Sequence, residues 1–463
     1  MKPSRDASSW SRRKVIRTVA GAAALPLLAT TAPPRRRVGI VGGGMAGVSM
    51  AWLLDGKRDI VLLEAAASLG GNIQSIPIQL DGYSFTVDMG AQYFNPGPYP
   101  TYFQLLFLLG LLRQTHSFPA SITLQAAGEA MPRFVSPVLP GRVWPILAPW
   151  NRAGLQAFEV AFVAAKQREE NNEDWNVTLQ EWLPTLGLSQ QQWEGMILPW
   201  AASLFSGDID QARGMSARAA MIFVAKALPD NPTDPLLYYV LNPGMAEVLK
   251  QMIAQCSTVQ VLTGAPVTQV STDPQGGFNV RYGSGQSVHV DDIVFSASGP
   301  ATLQLLAGIP GTSAQQTALA GIEFHDARLA LHTDPIYAPA NPDYWSFFNA
   351  AITGGFCEAS MWLADVLAVP PPETAAKLWK SWITHRTQQP TQVLYQAQFR
   401  HMFPTPATLQ SQNNLLAMQG QSSIWFAGGY TRPYDSQETA LVSAIDIAKR
   451  MLGDSARTRA LGR

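Results

Sequence analysis

The feature that most constrains this chain is a run of glycines set between a strand pattern and a helix pattern. Arg37-Val38-Gly39-Ile40-Val41 reads as a buried strand, and Gly42-Gly43-Gly44-Met45-Ala46-Gly47 is a G-x-G-x-x-G. Val48 to Leu54 then continues as a helix with apolar residues at 48, 52 and 53. A second strand pattern, Asp59-Ile60-Val61-Leu62-Leu63, ends at Glu64, 22 residues beyond Gly42. Strand, glycine turn, helix, strand and acid in this order make a Rossmann βαβ unit, the opening of a dinucleotide site. Each position has a task. Gly42 makes the tight turn, Gly44 lets backbone amides approach a pyrophosphate, and Gly47 lets the helix lie close to the strand. The helix start at Met45 and Ala46 supplies partial positive charge. Glu64 can accept both hydrogen bonds of a ribose diol and would repel a 2′-phosphate, which disfavours NADP.

Composition narrows the class further. The 463 residues are 47% hydrophobic and 14% charged, with 33 basic residues against 33 acidic ones, so the chain is neither disordered nor a nucleic-acid binder with a basic face. At roughly 150 residues per domain, the length allows two or three domains. Cys256 and Cys357 are the two cysteines; they could form one bridge at most, and six scattered histidines without an H-x-x-x-H pair predict no metal site. Ser11-Arg12-Arg13-Lys14-Val15-Ile16 precedes a short apolar run, Val19 to Ala29. A twin-arginine pair before such a run predicts export in the folded state, to a periplasmic or membrane-associated place in a bacterium. The run is shorter than the roughly 20 apolar residues a membrane span needs. Pro33 after Thr30-Thr31-Ala32 leaves a cleaved and an anchored form both open.

Further segments resemble a known family. They are Ser68-Leu69-Gly70-Gly71-Asn72, Val87-Asp88-Met89-Gly90-Ala91-Gln92, Ile424-Trp425-Phe426-Ala427-Gly428-Gly429 and Glu438-Thr439-Ala440-Leu441. Together with the glycine turn they resemble the flavin-containing amine oxidase and phytoene desaturase superfamily. Leu198 to Ser206, Asn242-Pro243-Gly244-Met245, Leu331-His332-Thr333-Asp334 and Phe399-Arg400-His401-Met402 look more like its bacterial branch of NAD/FAD-binding proteins related to amine oxidases. The resemblance implies an α/β fold: a Rossmann-type, GR2-like FAD-binding domain with an α+β substrate domain inserted. The expected division is a signal segment at 1–35 and FAD-binding parts at 36–96, 241–300 and 401–453. A mainly helical substrate part takes 97–240, a substrate-domain sheet 301–400, and a tail 454–463.

It also implies that FAD is held by Gly42, Gly44, Met45, Ala46, Gly47, Glu64, Gly71, Asn72, Gly90, Ala91, Gln92, Val267, Gly428, Gly429, Glu438 and Thr439. Two positions depart from the family. Asn72 stands where relatives usually carry an arginine, and Gly429 where they carry an acid that holds the ribityl chain. Read from the residues alone, the last segment is a short strand followed by a helix with Leu441, Ile445, Ala448 and Leu452 on one face. The start of that helix would favour the negative charge that collects on a reduced flavin.

The middle of the chain is less specific. Tyr102 to Leu112 reads as a core helix of the substrate part, with a membrane-dipping entrance, and so peripheral membrane contact, as the alternative. Ser136 to Trp150 is a Pro-rich lid candidate, 152–169 an amphipathic helix, and Thr178-Leu179-Gln180-Glu181 a capping box, with helical patterns broken at Pro184 and Pro199. Val259–Leu262, Val267–Ser271, Phe278–Tyr282, Ser287–Val290, Ile293–Ser296, Ile322–Thr333 and Tyr344–Phe348 read as strands. Amine-oxidising relatives often place a lysine by the flavin on a strand like Glu323–Thr333; Arg328 and His332 occur there instead, and arginine stays charged. The catalytic candidates are therefore His401, His332, Arg328 and Tyr430, with Tyr434 nearby and Trp345, Tyr395 and Phe399 as pocket walls. The expected activity is hydride removal from an apolar or amine-bearing small molecule, with oxygen or an electron carrier as acceptor. The alternatives are desaturation or isomerisation of a lipid-like substrate, and a flavin-poor partner protein without chemistry.

Overall fold

The structure, a computed structural model, describes residues 35–136, 148–205, 207–231 and 234–462. The signal segment and most of the lid candidate lie outside the described residues. The fold starts from Arg37–Val41, whose residues 38 to 41 are all buried, as a strand covered on both faces must be. It pairs in parallel with Asp59–Leu63 on one side and Asp292–Phe295 on the other. Ile424–Phe426 and Val259–Leu262 complete a five-stranded parallel sheet at its two edges.

Alternate residues feed two cores. Val38, Ile40, Ile60, Leu62 and Val294 pack under the helices Met45–Leu54, Pro100–Leu108, Ala246–Ala254 and Gln437–Leu452. Val41, Val61, Leu63, Ile293 and Phe295 face an antiparallel meander, Val267–Thr272, Phe278–Tyr282 and Gln286–Val290, and the helices beside it. The helix Met45–Leu54 is buried along all ten residues, so its place is set by close packing rather than by an amphipathic stripe.

A second sheet of seven strands carries the rest. Its order is Val393–Met402, Phe324–His332, Trp379–Trp382, Phe356–Trp362, Phe348–Thr353, Ile122–Ala126 and Phe134–Val135. The neighbours are antiparallel except Phe348–Thr353, which runs parallel to Ile122–Ala126. Part of one face is roofed by helices rich in buried tryptophan, Trp175, Trp182, Trp193 and Trp200. On the same face, Leu329, Leu331, Ala359, Met361 and Phe399 pack against the hairpin Ser75–Leu80 and Tyr83–Asp88.

Three sequence expectations change. Tyr344–Phe348 is not a strand: Pro342 opens a short 3-10 turn there, Asn341 caps it through the amide of Asp343, and the strand begins only at Phe348. Pro199 does not break its helix: it follows a π-helical turn at Trp193–Ile197, and Gly195 O, the carbonyl its missing amide would have served, accepts from Arg133 Nη1 at 2.9 Å. The helix Pro100–Leu108 buries Tyr102, Leu105 and Leu106 in the core of the nucleotide half rather than in the substrate part. Among the described residues, no helix is long and apolar enough to cross a membrane.

Candidate active site

The glycine turn divides its glycines into two kinds. At Gly47 an added Cβ would fall 1.9 Å from the carbonyl oxygen of Gly42 and 2.6 Å from Ser296 Oγ, so packing alone demands glycine. Gly42, at φ +109°, is in a conformation side chains rarely adopt, and its amide donates to Leu63 O at 2.8 Å. Gly44 is different. A Cβ there would meet nothing nearer than 3.7 Å, the backbone of Gly70 and Gly71, so the protein itself does not require glycine at this position. Room beside an uncapped helix start, with the next amides belonging to Met45 and Ala46, is what a pyrophosphate needs.

The Gly70-Gly71-Asn72 turn lies on the same spot: Gly70 N donates to Gly43 O at 3.0 Å, and Asn72 O accepts from Ala91 N at 2.9 Å. Glu64 accepts from the amides of Gly43 at 2.6 Å and Ala66 at 2.7 Å, which fixes its carboxylate at the loop and leaves further lone pairs to accept from a ribose diol. Ala265 N donates to Glu64 O at 2.8 Å, so the strand from Val267 starts beside the same acid. The residues present thus fit a dinucleotide.

The far end of the site is reached by the segment Asp88–Gln92 and the loop after Phe426. Gly90 is required by its neighbours, since a Cβ there would lie 2.0 Å from Asn72 O and 2.8 Å from the Phe399 ring. Gly428 donates its amide to Ser443 Oγ at 2.9 Å, tying the loop to the terminal helix. The side chains of Glu438 and Thr439 have other partners than those expected. Glu438 accepts from the amides of Thr101 at 3.2 Å and Tyr102 at 2.7 Å, holding the start of the helix Pro100–Leu108. Thr439 closes a capping box with Ser436.

Register sorts the catalytic candidates. Along Phe324–His332, residues 325, 327, 329 and 331 share the face turned to the hairpin and helices, and His332 faces the other way. There it pairs with Ser381 Oγ at 2.8 Å and is pushed down to about 4 by burial, so it is a packing residue behind the sheet. Arg328, also on that side and exposed, donates to the carbonyls of Ile383 at 3.1 Å and Thr384 at 3.3 Å. The Tyr430 hydroxyl donates to Phe295 O at 3.2 Å inside the nucleotide-half core, and burial drives its phenol well above the ordinary range. These three do not line the cofactor side. Trp345 stacks edge-on with Trp362 and Trp379 behind the sheet, and Tyr395 is exposed, so neither walls the pocket; Phe399 does meet Gly90.

His401 is on the near face, opposite His325 in register, with their rings 6.1 Å apart and Trp382 at 5.6 Å. Burial, then His325, pushes it down to about 4, so it is neutral at ordinary pH. A cavity of about 160 Å³ opens on this side between sheet and helices, lined by Ala202, Phe205, Met215, His325 and Phe403 among others. A larger one of about 370 Å³, lined by Gln125, Tyr337, Glu358 and Arg386 among others, lies behind the sheet and away from the cofactor residues.

Sequence reading missed the most chemically loaded residue of this face, Lys380. It lies on the strand Trp379–Trp382, directly opposite Leu331, and is fully buried. Its ammonium donates to Asp88 O at 2.9 Å and to Gln92 Oε1, and sits 4.7 Å from the centre of the Tyr93 ring. Burial pushes the lysine down to about 7, against the pull of Asp88. The Asp88 carboxyl is pushed up to about 6 by burial, against the hydroxyl of Ser75, the amide of Met245 and Lys380. That amide donates to both carboxylate oxygens at 3.1 Å, so the segment Asn242-Pro243-Gly244-Met245 underpins the acid. A lysine in a short strand pattern framed by tryptophans, Leu378-Trp379-Lys380-Ser381-Trp382, was the available signal.

A sequence model of the family described as flavin containing amine oxidoreductase matches residues 45–326. No curated protein matches the sequence. Among solved structures, a CLA-producing fatty acid isomerase from P. acnes has a TM-score of 0.65 at 11% identity, covering 90% of this chain and 99% of that one. Putrescine oxidase bound to putrescine gives 0.62 at 14% identity, covering 90% and 99%. Cyclohexylamine oxidase from Brevibacterium oxydans IH-35A gives 0.58 at 16% identity, covering 90% and 100%. At these identities the likeness shows a shared fold. With the glycine turn, its acid and the family match over more than half its length, the chain belongs to the flavin containing amine oxidoreductase family and is an FAD-dependent oxidoreductase.

Proposed function

We propose that this protein oxidises an amine-bearing, largely apolar small molecule, with oxygen or an electron carrier taking the electrons afterwards. When bound, FAD supplies the acceptor for the hydride. The observation that carries the reading is Lys380. The strand Phe324–His332 has no lysine, which on sequence alone counts against amine oxidation, but one lies on the neighbouring strand, opposite Leu331 and in contact with the Asp88–Gln92 segment. A lysine held near neutrality can be uncharged at working pH and take or relay a proton there, which an arginine cannot. Tyr93 and Phe347, edge to face at 4.8 Å, and Trp382 give the same face an aromatic lining that suits a neutral amine.

The test is reduction of the protein-bound flavin without oxygen. Primary and cyclic amines are expected to bleach the flavin absorbance, and Lys380→Met, still yellow, to bleach far more slowly. Double-bond migration in a fatty acid without oxygen uptake would replace this reading with the isomerase alternative. The twin-arginine segment supports an exported enzyme, periplasmic or membrane-associated. Fusing residues 1–35 to a reporter, with Arg12 and Arg13 changed to lysine as control, tests that separately.

A further inference from the structure

Gly429 holds no left-handed backbone conformation, so its need for glycine comes from a neighbour. A Cβ on Gly429 would fall 1.9 Å from Asp435 Oδ1 and 2.9 Å from its Cγ. The carboxylate of Asp435 thus occupies the space a side chain at 429 would fill. Asp435 is part-buried and keeps some of its surface accessible, so it is not packed into a core. No donor among the described residues reaches it, and burial pushes its carboxyl up to about 6. A partly desolvated acid without a protein partner is free to accept from a ligand that donates to it.

Its position says which ligand. Asp435 lies against the loop that leaves the C-terminal end of the parallel strand Ile424–Phe426, immediately before the cap of the helix Gln437–Leu452. Open parallel sheets bind their ligands beyond the C-terminal ends of the strands, where Gly42–Gly47 and Glu64 also lie. The Tyr99 phenol, which feels the charge of Asp435, belongs to the same end of the nucleotide half, where it packs with Tyr102 and Phe223.

We propose that Asp435 is a cofactor-binding acid whose carboxylate accepts a hydrogen bond from a hydroxyl of the flavin's polyol chain, in the space left by Gly429. The proposal rests on FAD being the cofactor and not on the choice of substrate.

The experiment titrates apo-protein with FAD and, separately, with ADP, which lacks the polyol chain. Asp435→Ala is expected to weaken FAD by roughly 10- to 100-fold, the loss of a hydrogen bond to a charged group, while ADP binds as before. Gly429→Asp combined with Asp435→Ala returns an acid to the space and is expected to recover most of the loss. Asp435→Asn, closest in shape but a neutral acceptor, is expected to give a smaller loss for FAD alone should the alanine variant fold poorly. Unchanged FAD affinity in both single variants would overturn the proposal, as would equal loss of FAD and ADP. Unchanged FAD affinity with a raised KM for an amine would assign Asp435 to a substrate ammonium instead. A wild-type chain that takes up no FAD would overturn the cofactor assignment itself.

Discussion

The two sheets solve recognition in different ways. The parallel sheet offers mainly backbone: a glycine turn, an uncapped helix start and one acid, all supplied by a continuous stretch from Arg37 to Glu64. The mixed sheet contributes side chains from strands far apart in sequence. Lys380 donates to the carbonyl of Asp88, whose carboxylate accepts from the Met245 amide, while Phe399 closes over Gly90. Backbone recognition is local and tolerant of what lies elsewhere; side-chain recognition depends on register across the whole sheet.

The largest effect that tests this contrast compares two glycines. Gly47→Ala is expected to cost about 3 kcal/mol, because its Cβ meets backbone rather than a movable side chain, and to lose flavin together with stability. Gly44→Ala has room for its methyl group, so the apo-protein should melt within about 0.5 kcal/mol of wild type while FAD binding falls. Equal damage from both, by thermal melting and flavin absorbance, would break the distinction between packing glycine and ligand glycine. Lys380→Met comes next: amine turnover should fall about 100-fold or more, and the change in rate across pH 7 should vanish.

A smaller effect concerns stability of the apo-protein. Lys380 titrates at about 7 when folded against an ordinary 10.5, so the unfolded chain binds more protons between them and stability rises with pH over that window. Asp88, at about 6 against an ordinary 3.8, has the opposite sign, and stability falls as pH climbs from 3.8 to 6. Denaturant melts of wild type and Lys380→Met should show the upper slope lost and the lower one retained. The smallest expected effect is Arg328→Ala, which should leave turnover unchanged and stability within about 0.5 kcal/mol, since its exposed guanidinium only decorates the edge behind the sheet. A large loss of turnover there would mean that the two faces are assigned the wrong way round.

The same contrast separates what is legible in the sequence from what is not. The βαβ unit was legible because its motif is contiguous and each residue type has a local reason to be there. The terminal strand and helix were legible from spacing, with Leu441, Ile445 and Ala448 on the buried face. Which side of the second sheet a residue occupies was not. His332 and Leu331 differ by one position and face opposite ways, and only pairing with Trp379–Trp382 shows that a lysine 49 residues beyond Leu331 stands opposite it. Glu438 illustrates the same limit: its position at the start of a helix was evident, but its partners, the amides of Thr101 and Tyr102, come from the other end of the chain. Tyr430 was misplaced because one turn of 3-10 helix aims it back at Phe295.

The edge strand Ile424–Phe426 carries a consequence for how the protein is made. On the ribosome, a growing chain can form the glycine turn early, yet the sheet gains its last member, and the loop and helix beyond it, only when synthesis is nearly finished. A chain that stops before residue 424 lacks this edge strand, the Gly428 loop tied to Ser443, and the helix Gln437–Leu452 that shares a core with Met45–Leu54, so the nucleotide half is closed only by the last residues to be made.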